Sequence, residues 1–99
     1  MIMLVHIAIY KWKPGTTEAK VLQAFEEIKL LKRKVPGLHS IYCGKNFSKF
    51  SEGFTHAIVV LAENQQALDA YRKHPGHEKA AKIIEEMEES GIGIDFNSI

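Results

Sequence analysis

Tyr71, His74 and His77 stand three residues apart around Pro75, and three such side chains could support proton transfer. Proline interrupts helical geometry, so irregular backbone there can aim all three at one place. If His77 starts a helix, the positive end of the helix dipole lowers its pKa. That favours the neutral imidazole a general base needs near pH 7. Tyr71 could then donate a hydrogen bond to a developing oxyanion. The plainer alternative makes Tyr71 a core residue sealing a helix seam with Ala67 and Leu68, and His74 a surface residue satisfying turn backbone.

His6 and His56 are each flanked at plus and minus two by apolar residues, so each sits on an otherwise apolar strand face. A neutral imidazole in that setting must find hydrogen-bond partners or keep access to water. Singly, each reads as a satisfied core histidine. Together they suggest a polar spot inside an apolar pocket, which describes a ligand site. Both belong to the bulkier side-chain set of their strands, which assigns them to the face that helices cover.

Other chemistries find less support. Three imidazoles and a water make a catalytic zinc site, but His6, His56 and His77 have no recognised ligand spacing, and no metal is expected. Cys43 is the only cysteine. It lies near Lys45 with no adjacent histidine to activate it, and reads as a small strand residue. The run Glu85, Glu86, Glu88 and Glu89 reads as a solvated helix face. There is no phosphate-binding glycine loop and no aromatic signature of RNA binding.

With 13 Lys plus Arg against 12 Asp plus Glu, the chain has no single-sign field to gather nucleic acid or an anionic membrane. The lone cysteine rules out an intrachain disulfide, and a reducing cytoplasm is the expected location. The first strand is punctuated by His6, Tyr10, Lys11 and Lys13, unlike an export signal. The longest apolar run elsewhere, Ala57 to Ala62, is too short to span a bilayer.

The elements that must position these residues follow from periodicity. Met3 to Lys13 reads as a strand closed by Pro14 and Gly15. Thr17 can cap a helix whose Val21, Leu22, Phe25, Ile28 and Leu31 recur at three and four residues. Leu38 to Phe47 and Phe54 to Leu61 read as strands. Asn64 caps a short helix through Tyr71, and a new helix begins near His77, with Gly91 as its natural stop. Ile92, Ile94 and Phe96 alternate with Gly93, Asp95 and Asn97 in a final short strand. The order β-α-β-β-α-β is the split βαβ arrangement, an α+β fold with a four-stranded antiparallel sheet and its helices on one face. The 99 residues form one expected domain.

Both faces of that sheet are apolar. Leu4, His6, Ala8, Tyr10 and Trp12 point one way, and Val5, Ile7 and Ile9 the other. Phe54, His56, Ile58 and Val60 oppose Ala57, Val59 and Leu61 in the same manner. Helices cover one side only, so the second apolar face calls for cover from outside the chain. Two sheets packed face to face through an isologous contact would supply it, and a homodimer is expected.

Several stretches resemble the stress-responsive A/B barrel family of dimeric α+β barrel proteins. They are His6-Ile-Ala-Ile-Tyr-Lys-Trp-Lys13, Pro36-Gly-Leu38, Gly44-Lys-Asn46, Gly53-Phe-Thr-His-Ala57, Tyr71-Arg-Lys-His-Pro-Gly-His77 and Asp95-Phe96. The resemblance runs over nearly the whole chain, and Tyr-x-x-His-Pro-x-His is its most specific part. It implies a ferredoxin-like protomer whose sheet joins a second copy in a barrel.

The family includes a polyketide cyclase that closes a linear poly-β-keto thioester by aldol condensation without a cofactor. Matching that pattern implies His77 as catalytic base, Tyr71 as assisting tyrosine, and His6 and His56 as substrate-binding histidines. The function expected is therefore a homodimer that binds a small hydrophobic, aromatic or polyketide-like molecule, with cofactor-independent aldol cyclase (lyase) chemistry as its enzymatic form. The alternatives are a non-catalytic stress-related homo-oligomer, whose histidines satisfy a buried network, and a cofactor-free monooxygenase.

Overall fold

The computed structural model describes residues 2–99. Strand β1 (Leu4–Trp12) is followed by helix α1 (Glu18–Lys34), strands β2 (Leu38–Lys45) and β3 (His56–Ala62), helices α2 (Gln65–Lys73) and α3 (Pro75–Met87), and strand β4 (Glu88–Asn97). The strands form one antiparallel sheet in the order β2-β3-β1-β4. This is the expected ferredoxin-like α+β fold, with the second helix divided in two.

Local chemistry sets most boundaries. The Thr17 side chain accepts from the Lys20 amide and opens α1; Asn64 accepts from the Ala67 amide and opens α2. Gly37, at φ 88°, lies in the left-handed region and its Cα approaches Ala67 so closely that an added Cβ would meet the Ala67 Cβ at 2.8 Å. Only glycine turns the chain there from α1 into β2.

Three boundaries differ from the sequence reading. β2 ends at Lys45, and Phe47 lies in the following loop, 98% exposed. There Asn46 bonds the Phe54 carbonyl and the Ser48 amide in place of a ladder. β3 begins at His56, two residues after Phe54. α3 stops at Met87, so Glu88 and Glu89 belong to β4 and not to a solvated helix face. Pairing explains the last shift: Ser90 and Glu88 register against Lys11 and Trp12 across a bulge, and the Lys13 amide donates to the Met87 carbonyl.

The core lies between the sheet and the helices. Val21, Phe25, Ile28 and Leu31 of α1 pack with Leu68, Tyr71, Ala80 and Ile84 onto Leu4, Ile58 and Val60. Each valine, leucine, isoleucine and phenylalanine among them contributes about 1.5–3 kcal/mol by leaving water, which orders the helix-covered face firmly. The opposite face has no such cover. Val5, Ile7 and Ile9 stand beside Phe96, Ile94 and Ile92 of β4 and beside Leu61, Val59 and Ala57 of β3. Ile92, Ile94 and Phe96 are each nearly half exposed.

Candidate functional site

Period-two alternation places His6, Ala8 and Tyr10 of β1 on the helix-covered face, and the break between α2 and α3 brings Tyr71 and His77 over them. These residues line a cavity of about 230 Å³ together with Ile28, Ile58, Ala81, Ile84, Glu85 and Glu88. The volume falls just below the ~300–1,000 Å³ of sites for drug-sized molecules, so the occupant it suits is smaller.

The break has its own construction. His74 ends α2 and caps α3, its Nδ1 accepting from the Gly76 amide at 2.9 Å. That occupies His74 with turn backbone and removes it from the cavity. A Cβ at Gly76 would meet the Leu31 side chain at 2.9 Å, so glycine lets the start of α3 lie against α1. His77 then occupies the third position of α3, with its ring edge-on to Tyr71 at 4.8 Å between centroids. The His6 ring lies 6.2 Å from the Tyr71 ring, between centroids.

Tyr71 has two roles at once. Its ring is buried in the seam with Ala67 and Leu68, as the plainer reading supposed. The residue is 1% exposed, yet its hydroxyl forms no hydrogen bond with any described residue and opens on the cavity. Burial, chiefly, holds the phenol well above its ordinary pKa, so it stays protonated and able to donate.

His77 is held below the usual histidine pKa, foremost by burial and then by its neighbours His6 and Arg72. The direction is the one expected from the helix start, but desolvation is the leading cause. A neutral imidazole beside a protonated phenol is a base next to a hydrogen-bond donor.

A third element completes the chemical end. His6 Nδ1 lies 2.5 Å from Asp95 Oδ1, and Arg72 Nη2 donates to Asp95 Oδ2 at 2.8 Å. The Arg72 bond, foremost, and the His6 bond keep the Asp95 carboxyl below its ordinary pKa. An ionised carboxylate only accepts, so His6 Nδ1 must carry its proton, and Nε2 is left as the acceptor of the neutral ring. Asp95 and Arg72 fall within stretches that carry the family resemblance but were not among the expected site residues. Asp95 had a readable signal: alternation in β4 puts Gly91, Gly93 and Asp95 on the face opposite Ile92, Ile94 and Phe96. Arg72 had none.

His56 lies elsewhere. It pairs with Tyr10, whereas His6 pairs with Val60, so the two histidines share a face but sit four residues, or ~13 Å, apart along β3. His56 is 6% exposed and closely partnered. Trp12 Nε1 donates to its Nδ1 at 2.8 Å, so the ring proton is on Nε2, which faces Glu18 at 3.3 Å. It lines a separate cleft with Trp12, Glu18, Lys45 and Phe47. Among the described residues no cluster of three His, Cys, Asp or Glu side chains could hold a metal ion. Among the described residues no helix is long and apolar enough to cross a membrane. Cys43 is half-buried, and burial pushes its thiol up to about 11, away from nucleophilic activation.

The model of the Stress Responsive A/B Barrel Domain family matches residues 4–98. Olivetolic acid cyclase of Cannabis sativa is 30% identical over 74 residues, covering 73% of each chain. A dimeric ferredoxin-like protein of unknown function from Thermobifida fusca superposes with a TM-score of 0.85 at 24% identity, over 98% of this chain and 92% of that one. A hydroxynitrile lyase from Passiflora edulis also superposes at 0.85, with 16% identity over 98% and 94% of the two chains, a likeness of fold.

Proposed function

The chain belongs to the stress-responsive A/B barrel family, and from that premise we propose that it is a homodimer that binds a small apolar carbonyl compound in the His6–Tyr71–His77 cavity and moves a proton on it, as an aldol-type cyclase or lyase without a cofactor. The observation that carries this reading is the edge-on contact of His77 with Tyr71 on the cavity wall. It joins a base kept neutral by burial to a buried phenol whose hydroxyl has no other partner among the described residues. Similarity to an olivetolic acid cyclase adds support for a cyclase reading.

In this reading His77 takes a proton from the carbon next to a carbonyl. The electron pair of that C–H bond passes to the carbonyl oxygen, which accepts a hydrogen bond from Tyr71. The resulting enolate carbon attacks a second carbonyl of the same substrate, or of a second molecule, and His77 returns its proton to the alkoxide formed. His6, oriented by Asp95, offers Nε2 as a further polar contact that fixes the substrate. His56, in its own cleft, stands outside these steps.

The dimer rests on the uncovered apolar face described above, which a second copy would bury. Structural neighbours described as dimeric support it.

Proton abstraction is tested directly by following deuterium exchange into the methyl group of acetophenone in D2O by NMR. Wild-type protein should accelerate exchange, and His77→Ala should lose roughly 100-fold or more of that rate. Binding without acceleration by the wild type would leave a ligand-binding protein and overturn the catalytic step. Neither binding nor exchange would overturn the reading as a whole.

A further inference from the structure

We propose that the cleft beside His56 is a second binding site, for a flat aromatic carboxylate, and that the Glu18 side chain holds the carboxylate position until such a ligand takes it. The cleft shares no lining residue with the proton-transfer cavity, and the site stands whether or not that cavity is catalytic.

The cleft has room and apolar walls. Its volume is about 390 Å³, within the ~300–1,000 Å³ of small-molecule sites. Trp12, Val21 and Phe47 supply the walls. Trp12 is a fixed plane, since Tyr10 stacks on it with ring centroids 5.0 Å apart and planes 10° from parallel. Phe47 is 98% exposed, although its loop is well bonded: the Asn46 side chain donates to the Phe54 carbonyl and accepts from the Ser48 amide. A phenyl ring held in water at the mouth of an apolar cleft has surface to bury, and an aromatic body in the cleft would bury part of it.

His56 supplies the polar contact. It is only 6% exposed, and its Nδ1 accepts from Trp12 Nε1 at 2.8 Å. An indole nitrogen only donates, so the ring proton is on Nε2, and the Thr55 hydroxyl, 2.9 Å from Nδ1, donates there as well. Two donors thus aim one buried N–H at the cleft, where it meets Glu18 Oε1 at 3.3 Å. The other oxygen of Glu18 faces the Lys45 ammonium at 3.6 Å.

The chain itself therefore shows which group these donors take. A carboxylate lies between His56 and Lys45, beside the positive end of the α1 dipole. Both distances exceed the ~2.7–2.9 Å of a well-made charge-assisted bond. Glu18 is tethered to the first position of α1, and its side chain is about half exposed, so it can turn out into water. A ligand carboxylate free of that tether can close on both donors while its aromatic body fills the cleft. Its charge then replaces that of Glu18 at the donors.

Trp12 is the only tryptophan, and its indole N–H bonds His56, so its 15N resonance reports on the cleft. 2-Naphthoate and 2-naphthamide, alike in shape and different in charge, are titrated into the full chain, and Kd is read from that resonance. Glu18→Ala should bind 2-naphthoate about tenfold or more tightly than the wild type does, while 2-naphthamide gains no more than about twofold. Adding Lys45→Met should take back about threefold for the naphthoate alone. No gain, an equal gain for both probes, or a naphthoate affinity indifferent to Lys45→Met overturns carboxylate recognition. Failure of naphthoate to bind either the wild type or Glu18→Ala, or binding that leaves the Trp12 resonance unmoved, overturns the site itself.

Discussion

Nδ1 of His6 and Oδ1 of Asp95 lie 2.5 Å apart although 89 positions separate them in the chain. Register makes the pair, because β1 and β4 run antiparallel with His6 directly opposite Asp95 on the helix-covered face. Arg72 reaches the other oxygen of the same carboxylate from the last turn of α2. A strand, a second strand and a helix are thus tied together where Nε2 of His6 meets the cavity.

Asp95→Asn should keep the shape and lose the tautomer control, since an amide can donate as well as accept. The expected result is a mixture of His6 tautomers in 15N spectra and a slower acetophenone exchange, with binding less affected than rate. The depressed carboxyl pKa gives a second readout. A group whose folded pKa is lowered adds stability above its unfolded pKa of about 4, and that stability disappears as pH falls through the folded value. The variant should therefore show a smaller loss of stability on acidification below pH ~4 than the wild type. Unchanged tautomers and an unchanged acid limb would show that Asp95 does not control His6.

Tyr71→Phe separates function from packing. A buried tyrosine with a hydrogen-bonded hydroxyl loses about 1 kcal/mol when the oxygen is removed. The Tyr71 hydroxyl has no partner among the described residues, so urea denaturation should find the variant within about 0.5 kcal/mol of the wild type. Exchange of acetophenone protons should nonetheless slow by roughly tenfold or more. A clear stability loss with unchanged exchange would make Tyr71 structural.

For His77 the sign is that of a base whose folded pKa is lowered. Unfolded chains take up a proton there as pH drops below about 6.5, while the folded protein resists until its own lower value. Stability should fall across that window, less steeply in His77→Asn. The acid limb of the exchange rate should likewise lie below pH ~6.5. His6→Gln removes one of the two neighbours that hold His77 down, and an NMR titration should then find the His77 pKa moved up.

The chemistry of the turn around Pro75 was legible in the sequence because proline and the tyrosine–histidine spacing are local signals. The caps Thr17 and Asn64 were legible for the same reason. Position along a strand was not. Alternation told which face His6 and His56 occupy, and both do face the helices, but only the β1–β3 register shows that the stacked Tyr10 and Trp12 intervene. Glu88 was assigned to a helix because glutamate favours one and the preceding pattern is helical. Pairing with β1 overrode that preference, and in doing so turned Glu88 toward the cavity. Tertiary registry of this kind has no counterpart in a single-sequence pattern.

The uncovered face of the sheet predicts assembly. Ile94 lies on that face on the edge strand β4, opposite Ile7 of β1, and is nearly half exposed. In a face-to-face dimer Ile94→Glu would place an unpaired charge in each copy of the contact, at a cost of several kcal/mol. Sedimentation velocity should show a dimer for the wild type and a monomer for the variant, with far-UV circular dichroism retained. A wild-type monomer would remove the second copy from the reading while leaving the cavity on the other face untouched.

Gly93→Val sets fold against function in one residue. The glycine sits inside β4 where a side chain would meet nothing, so valine adds strand propensity without a clash. The variant should gain up to ~1 kcal/mol of stability, read as a higher denaturant midpoint at unchanged slope. The same side chain would stand beside Ala8 in the groove bounded by Tyr10, Glu88 and Gly91, which adjoins the cavity at Ala8, Tyr10 and Glu88. A longer probe such as para-butylacetophenone, whose chain would reach that groove, should then lose most of its affinity, whereas acetophenone, which occupies only the His6–Tyr71–His77 end, should keep its own. A strand that forgoes that stability has a reason to stay open. If valine stabilised the protein and left the butyl probe bound as before, Gly93 would be no part of the site.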